Sequence, residues 1–218
     1  MSDLDNTLSS TPADAEAAAP VRKRPKPGER RVQILQALAT MLEQPGAERI
    51  TTAALAAKLE VSEAALYRHF ASKAQMFEGL IEFIEQTVFS LVNQIAEREA
   101  GAGDVAAGAR QAGKIIAMLI QFAEKNPGMT RVMVGDALVF ENERLQQRMN
   151  QFFDKIESTL KQCLREAGAA SSGTPSVDAQ VGASVLTAFV VGRLQRFARS
   201  GFRRLPSEHL EASLAQML

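Results

Sequence analysis

Hydroxyl and basic side chains recur between residues 51 and 73 at spacings that suit contact with a phosphate backbone. Thr51 and Thr52 stand at the start of one short apolar-periodic segment, and Ser62 stands at the start of the next. At a helix start, free backbone N–H groups and a hydroxyl can together hold a phosphate. Tyr67 and Arg68 follow further along, where a phenol or a guanidinium reaches a phosphate or a base edge. This stretch therefore predicts contacts to a nucleic acid.

The candidate DNA contacts form one set: Thr51, Thr52, Ser62, Glu63, Ala64, Tyr67, Arg68, His69 and Lys73. Several of these residues also have a purely structural interpretation. Thr51 and Ser62 cap helices whatever the function, and an alternative for Tyr67 is to cover the edge of the core. Glu63 is repelled by phosphate, so it either pairs with a base donor or favours the helix start. Lys73 begins the following helix and is expected to point its charge at the DNA backbone.

Side chains that catalyse reactions or bind metals are scarce. The chain has two histidines, His69 and His209, on different predicted elements, and one cysteine, Cys163. A single cysteine excludes an internal disulfide and a cysteine-based metal site within one chain. The sequence has no glycine-rich phosphate loop and no nucleophile with a base nearby. We therefore expect no catalytic activity, no metal and no cofactor.

Charge is unevenly distributed along a chain whose formal net charge is zero. Residues 1–20 carry four acids and no lysine or arginine, whereas residues 21–78 carry ten bases and six acids. A locally basic N-terminal region suggests a polyanion partner, the alternative being a solvated basic tail. No apolar run approaches the length of a membrane span, and the acidic N-terminus lacks a secretory pattern. We expect no membrane contact and a cytoplasmic location.

Apolar residues recur every three or four positions almost throughout, which predicts an all-α fold of about nine helices. The predicted helices run from about 29 to 44, 51 to 59, 62 to 70, 72 to 100, 105 to 125, 129 to 134, 136 to 166, 177 to 199 and 207 to 217. Pro45-Gly46, Gly101 and Gly103 are expected to end the first and fourth of them.

The two short helices at 51–59 and 62–70, with a tight turn between them, form a helix-turn-helix pattern. The pair is expected to pack through its small and apolar residues, which are Ala54, Leu55, Ala57 and Leu66. Ser72 and Gln75 are spaced as a capping box that opens the next, long helix. The short second helix can present its N-terminal side chains to a major groove.

Residues 29–77 resemble the DNA-binding domain of the TetR family. The family pattern T-x-x-x-(I/L)-A-x-x-x-x-V-S-x-x-x-(L/I)-Y-x-(H/Y)-F-x-x-K appears here as Thr51/Thr52, Leu55-Ala56, Val61-Ser62, Leu66-Tyr67, His69-Phe70 and Lys73. The composition of residues 1–28 predicts a disordered tail, and the basic run from Arg22 to Arg31 predicts an arm that could follow the DNA backbone or enter a minor groove. The resemblance implies a three-helix DNA-binding domain at 29–74 and a helical dimerisation and partner-binding domain at 75–218.

Longer blocks, including IEFIE, NPGMTR and GDALVFENERLQQRMNQFFDKIE, resemble one branch of that family, the nucleoid occlusion factors. This resemblance covers about residues 30–166. It implies sequence-specific binding to chromosomal sites, association with the nucleoid, and antagonism of polymers of the division protein FtsZ. It places the partner-binding residues at Phe83, Met118, Lys125 and Asn126. Leu91 and Gln121 depart from the branch, where arginine and glycine are expected.

Phe83 lies beside the inward stripe of its helix, which Ile81 and Ile84 already supply, so the spacing favours an exposed side chain. The alternative is that Phe83 packs against the DNA-binding domain. An exposed phenylalanine near Lys125 suits an acidic, partly apolar peptide.

The other function that the sequence leaves open is a ligand-responsive TetR-type repressor, which would hold a small molecule in the C-terminal domain. The chain has no tryptophan and its one tyrosine lies in the helix-turn-helix, which favours a packed core over a pocket.

The helix at 177–199 is expected to form a homodimer interface, the alternative being an ordinary core helix. Its apolar residues include Val181, Val185, Ala188, Phe189 and Leu194. The small residues Gly182, Ala183 and Gly192 are expected to allow a close approach of the two helices. Two half-sites about 34–36 Å apart would require such a dimer.

Overall fold

The computed structural model describes residues 28–44, 50–99, 107–168 and 175–218. Over these ranges the chain forms nine α-helices and a short 3₁₀ turn without any strand, so the all-α prediction is confirmed. The helices are α1 (Glu29–Leu42), α2 (Thr52–Lys58), α3 (Glu63–Tyr67), α4 (Lys73–Glu99), α5 (Ala107–Lys125), α6 (Pro127–Met133), α7 (Glu143–Gly168), α8 (Pro175–Arg199) and α9 (Leu210–Met217). The predicted tail and basic arm up to residue 27, the stop at Pro45-Gly46 and the breaks at Gly101 and Gly103 lie outside the described residues.

The first three helices share one small core. Its fully buried side chains come from all three helices and the turn after them, namely Ile34, Leu38, Leu42, Leu55, Leu66 and Phe70. The prediction that Ala54 and Ala57 pack the helix pair is wrong, because both are exposed and Ala56 is buried instead. Leu55 fixes the inward face of α2, and Ala54 and Ala57 lie roughly 100° and 200° around the helix from it.

α4 is a helix of 27 residues that leads from the first three helices into the C-terminal bundle. Its start is only partly a capping box. Ser72 Oγ accepts a hydrogen bond from the Gln75 backbone N–H at 3.2 Å, as predicted. The Gln75 side chain, however, accepts from the Ala71 N–H at 2.9 Å and not from Ser72, so it reaches one residue beyond the cap.

The C-terminal domain is a helical bundle built mainly from α4, α5, α7 and α8. Its central side chains are fully buried, among them Ile115, Leu119, Phe152 and Leu186. Phe89 of α4 and Phe152 of α7 pack edge to face with ring centroids 5.6 Å apart. None of the helices in the described ranges combines the length and the apolar character needed to cross a membrane.

The boundary between α6 and α7 differs from the prediction of one long helix from Asp136. The chain forms a 3₁₀ turn at Asp136–Leu138, and α7 begins only at Glu143. Gly135 adopts a left-handed conformation with φ of 83°, and the Asn142 side chain accepts from the Arg144 N–H at 2.9 Å. These two features define a turn before α7. The spacing of the apolar residues within this turn resembles that of a helix, which is why the sequence predicted one.

α6 is longer than the single turn predicted for residues 129–134, because Pro127 starts it and α6 runs for seven residues. Proline suits the first turn of a helix, where its missing N–H has no partner to lose. Gly128 brings α6 against the backbone of α1, since a Cβ at this position would stand 1.9 Å from the Ala39 carbonyl oxygen. α6 therefore joins the two domains through a backbone-to-backbone contact that only glycine permits.

Candidate nucleic-acid interface

The two threonine and serine caps are formed as the sequence predicts. Thr51 Oγ1 accepts from the Ala54 N–H at 3.1 Å and begins α2, and Ser62 Oγ accepts from the Ala65 N–H at 3.2 Å and begins α3. Both side chains are exposed. A hydroxyl that accepts in this way keeps its own hydrogen, so each cap can still donate to an external oxygen.

A chain of side-chain hydrogen bonds connects α2 to α3 on the exposed surface. Thr52 Oγ1 donates to Glu63 Oε2 at 2.6 Å, and Tyr67 Oη donates to Thr52 Oγ1 at 3.5 Å. Glu63 therefore pairs with a neighbouring hydroxyl in the unbound protein. Tyr67 is 45 % exposed, so its ring does not serve only to cover the core.

Arg68 and His69 are exposed at the end of α3, and the chain is braced there by a residue that sequence reasoning did not single out. Arg31 donates from Nη1 to the His69 carbonyl at 3.0 Å, and its guanidinium lies 4.1 Å from the centre of the Phe70 ring. Arg31 is the last residue of the predicted basic arm, yet its side chain fixes the start of α1 to the end of α3. Arg31 and His69 are 38 residues apart in sequence, so local sequence patterns do not indicate this contact.

Lys73 occupies the first position of α4 but its charge is already paired. Its ammonium lies 2.5 Å from Glu141 Oε1, which belongs to the turn before α7. A DNA phosphate at this position would have to compete with that carboxylate. Of the nine candidate contacts, seven lie on α2, α3 and their caps, and His69 follows directly after the end of α3. Lys73 links this surface to the C-terminal domain.

The four predicted partner-binding residues lie on α4, on α5 and at its end. Phe83 is 46 % exposed, and Lys125 is exposed as well. Met118 is half-buried and packs against the core. Asn126 is half-buried, and its side chain donates to the Phe122 carbonyl at 2.7 Å.

Ion pairs at the far end of α4 show how α4 and α5 are aligned. Glu99 pairs with Lys114 and lies 3.6 Å from Arg110, so the last turn of α4 meets the early part of α5. Phe83 precedes Glu99 by 16 residues, and Asn126 follows Arg110 and Lys114 by 16 and 12 residues. Counted along two antiparallel helices at about 1.5 Å per residue, Phe83 therefore lies toward the carboxyl end of α5. The neighbouring cations hold the pKa of the Glu99 carboxyl below its usual range, chiefly through the hydrogen bond from Lys114.

Two family models match most of the folded chain. The model for bacterial regulatory proteins of the tetR family matches residues 34–80, and a tetracyclin repressor-like C-terminal domain model of the SlmA-like type matches residues 109–218. A protein named nucleoid occlusion factor SlmA from Idiomarina loihiensis is 50 % identical over 183 residues, which is 84 % of this chain and 90 % of that protein. The SlmA of Vibrio cholerae is 49 % identical over 183 residues, with the same coverage of both chains.

The chain belongs to the SlmA branch of the TetR family.

Solved structures show the same fold at much lower identity. The fatty acid degradation regulator FadR from Bacillus halodurans has a TM-score of 0.70 at 14 % identity, covering 88 % of this chain and 96 % of that one. FadR from Bacillus subtilis, solved with stearoyl-CoA, has a TM-score of 0.67 at 13 % identity, covering 85 % and 96 %. These structures support a TetR-type fold and, at such identities, nothing more specific.

The dimer face predicted for this SlmA-type chain is only partly exposed on α8. Val181 and Val185 are 58 % and 49 % exposed, and Ala188 is exposed beside them. Ala183 and Leu194, which were assigned to the same interface, are fully buried within the protomer. They lie on the opposite face of α8. The prediction therefore combined buried core residues and exposed residues into one interface.

The three small residues expected to allow close helix approach have different roles. Ala183 is buried in the core. A Cβ at Gly182 would stand 3.0 Å from Leu164 Cδ1 of the same chain, so its close contact is internal. Gly192 has no atom within 4 Å of such a Cβ and is therefore open.

Proposed function

We propose that this protein is a sequence-specific DNA-binding nucleoid occlusion factor, which antagonises FtsZ polymers when bound to chromosomal sites and so blocks division over the nucleoid. Relatives that carry this name are about half identical to the chain over 83–85 % of its length. The single observation that supports it most directly is structural. The exposed α2–α3 surface and the exposed ring of Phe83 belong to consecutive elements, because α4 begins six residues after α3 ends.

In this proposal residues 29–74 bind duplex DNA, and the contacts come from the surface of α2, α3 and their caps. The residues assigned to it are Thr51, Thr52, Ser62, Glu63, Ala64, Tyr67, Arg68, His69 and Lys73. On binding, a base donor competes for Glu63 in the Tyr67–Thr52–Glu63 chain, and a phosphate competes for Lys73 in the Lys73–Glu141 pair. The hydroxyls of Thr51 and Ser62 donate to backbone phosphates while continuing to cap their helices.

Residues 75–218 dimerise and meet the partner. A second copy covers the exposed stripe of Val181, Val185 and Ala188, which gives two recognition helices for the two halves of a palindromic site. Phe83 anchors the FtsZ segment, with Met118, Lys125 and Asn126 around it. The protein acts in the cytoplasm on the nucleoid and performs no catalysis.

The test is sedimentation of FtsZ polymers in the presence of this protein, with and without a duplex selected by the protein from a random pool. We expect the selected duplex together with the protein to reduce the polymer in the pellet, and a scrambled duplex of equal length to leave it unchanged. A pool that yields no enriched duplex at moderate salt would refute the DNA-binding half of the proposal. An enriched duplex with no effect on the polymers would refute the division half.

A further inference from the structure

A concave groove lies at the carboxyl end of α8, away from the residues assigned a role above. It has a volume of about 740 Å³ and is lined by Arg196, Arg203, Arg204, Leu205, Ser207 and Glu208. We call it the arginine groove. It lies on the C-terminal domain and includes none of the residues assigned above to DNA or to FtsZ.

The backbone that carries two of these arginines is held in place by its own hydrogen bonds. Ser200 Oγ accepts from the Arg203 N–H at 3.1 Å and from the Arg204 N–H at 2.9 Å. Phe202, which directly precedes the two arginines, packs its ring against Phe197, with centroids 5.2 Å apart. The far wall is fixed as well, because the Ser207 N–H donates to Glu124 of α5 at 2.9 Å. The groove is therefore preformed, and a ligand would not have to order it.

The guanidinium groups in the groove have no acidic partner of their own. Residues 193–204 contain five arginines and no acid. Arg193 is used internally, since it donates to the Glu208 carbonyl at 2.5 Å and to Ser213 Oγ at 3.1 Å. Over the described ranges, neither Arg196 nor Arg203 nor Arg204 forms an ion pair. Among the described residues that line the groove, Glu208 is the single acid beside three arginines, so these residues carry an excess of positive charge.

The shape and the position of the groove distinguish between possible anions. The groove contains none of the candidate DNA contacts on α2, α3 and their caps. The loop that forms it packs instead against α6, where Arg131 lies 5.2 Å from the Phe202 ring centre. A concave site also suits one extended chain better than the convex backbone of a duplex.

Carboxylates are the anions that best match this lining. The planar guanidinium makes paired hydrogen bonds to a carboxylate, and three of them within one groove can engage successive acidic side chains. Leu205, which is 53 % exposed, adds an apolar contact beside the charges. We propose that the arginine groove binds an acidic, partly apolar segment of a partner polypeptide.

The test measures binding of a fluorescein-labelled peptide, Glu-Glu-Leu-Glu-Glu, to the full chain by fluorescence anisotropy at low salt. We expect saturable binding that weakens about tenfold or more in the double variant Arg203→Glu/Arg204→Glu, because two charge-assisted contacts become repulsive. Arg203→Lys/Arg204→Lys keeps the charge and should weaken binding by a smaller factor, since lysine cannot form the paired contact. The matched control is Arg98→Glu/Lys155→Glu, which reverses two exposed charges elsewhere and should leave peptide binding unchanged.

Two results would overturn the proposal. The first is equal weakening in the control, which would show that net charge alone attracts the peptide. The second is unchanged peptide binding in Arg203→Glu/Arg204→Glu. If duplex binding in that variant also has a shallower salt dependence, the groove is assigned to DNA phosphates. If the reversed variant does not fold, the lysine pair and the single variant Arg204→Gln give the same comparison. None of these readouts involves FtsZ, so the outcome is independent of the proposed function.

Discussion

The contact between Gly128 and α1 makes the sharpest prediction about how the two domains are joined. A Cβ at Gly128 would stand 1.9 Å from the Ala39 carbonyl oxygen and 2.8 Å from its carbonyl carbon. Both atoms are main chain, so no side-chain rotation can relieve the overlap. In the variant Gly128→Ala, α6 has to move away from α1.

The size of the effect follows from the overlap. A relaxed carbon–oxygen contact is about 3.3–3.6 Å, so the two backbones must separate by more than about 1 Å. Overpacking of this kind costs about 1–3 kcal/mol, and rigid main-chain atoms place this site at the upper end. For a chain of this size, each 1 kcal/mol lowers the Tm by about 2–4 °C, which gives an expected fall of about 6–12 °C.

Scanning calorimetry measures that fall, and duplex binding by anisotropy measures its consequence for DNA recognition. Gly113→Ala is the matched control. Its Cβ would meet only the tip of the flexible Leu218 side chain at 3.3 Å, and alanine is preferred to glycine in a helix by about 1 kcal/mol. The control should therefore keep or raise the Tm. A Gly128→Ala variant as stable as the parent would show that α6 does not rest on α1 as described, and the reasoning would fail.

Four further predictions concern the surfaces and the charges. Tyr67→Ala should lose about 1–2 kcal/mol of duplex affinity per half-site in an anisotropy titration, while unchanged affinity would remove Tyr67 from the interface. Phe83→Asp should leave duplex binding intact and abolish the effect on FtsZ in sedimentation, and an active variant would mean that the partner surface lies elsewhere. Val185→Asp should convert a dimer into a monomer in analytical ultracentrifugation, because a buried charge without a partner is costly. The pKa of Glu99 is lower in the folded protein than its ordinary value of 4.5. The ionised carboxylate therefore stabilises the fold at pH values above 4.5, and this stabilisation is lost as the pH falls through the lowered pKa. The difference in Tm between the parent and Glu99→Gln should accordingly shrink from pH 7 to pH 3, and a constant difference would contradict the Glu99–Lys114 pairing.

Local features of the fold were accessible from the sequence because they depend on neighbours along the chain. The caps at Thr51 and Ser62 are set by residues three positions away, and both are formed. The predicted start of α7 was wrong because local apolar spacing also occurs in a turn. Val139 and Phe140 continue the apolar period of the helix, although both are 63 % exposed in a turn. Periodicity records where apolar side chains fall and cannot by itself tell a buried stripe from an exposed loop.

Contacts between distant residues could not be read in this way. The Thr52–Glu63 hydrogen bond depends on two side-chain rotamers and on the angle between α2 and α3. The Gly128–Ala39 approach joins residues almost ninety positions apart, and a glycine near a proline reads in sequence as an ordinary turn signal. The candidate contacts themselves were predicted as residue types, whereas their mutual hydrogen bonds, and the pairing of Lys73 with Glu141, required the folded chain.

The packing of α4 bears on how DNA binding could influence the partner surface. Phe83 lies on this helix, so a change in its surroundings would require α4 to move relative to the bundle. Five of its apolar side chains, Phe77, Leu80, Ile81, Ile84 and Val88, are no more than 1 % exposed. Burial of each of these side chains contributes about 1.5–3 kcal/mol. Exposing even some of them by moving α4 would therefore cost more free energy than one good base contact contributes to binding. The ion pairs of Arg144 with Glu78 and of Arg148 with Glu85 connect α7 to α4 and add a smaller contribution to holding α4 in place. We therefore expect DNA to act on the partner by concentrating and orienting intact dimers along the chromosome, with α4 and the Phe83 surface keeping the arrangement seen in the unbound protein.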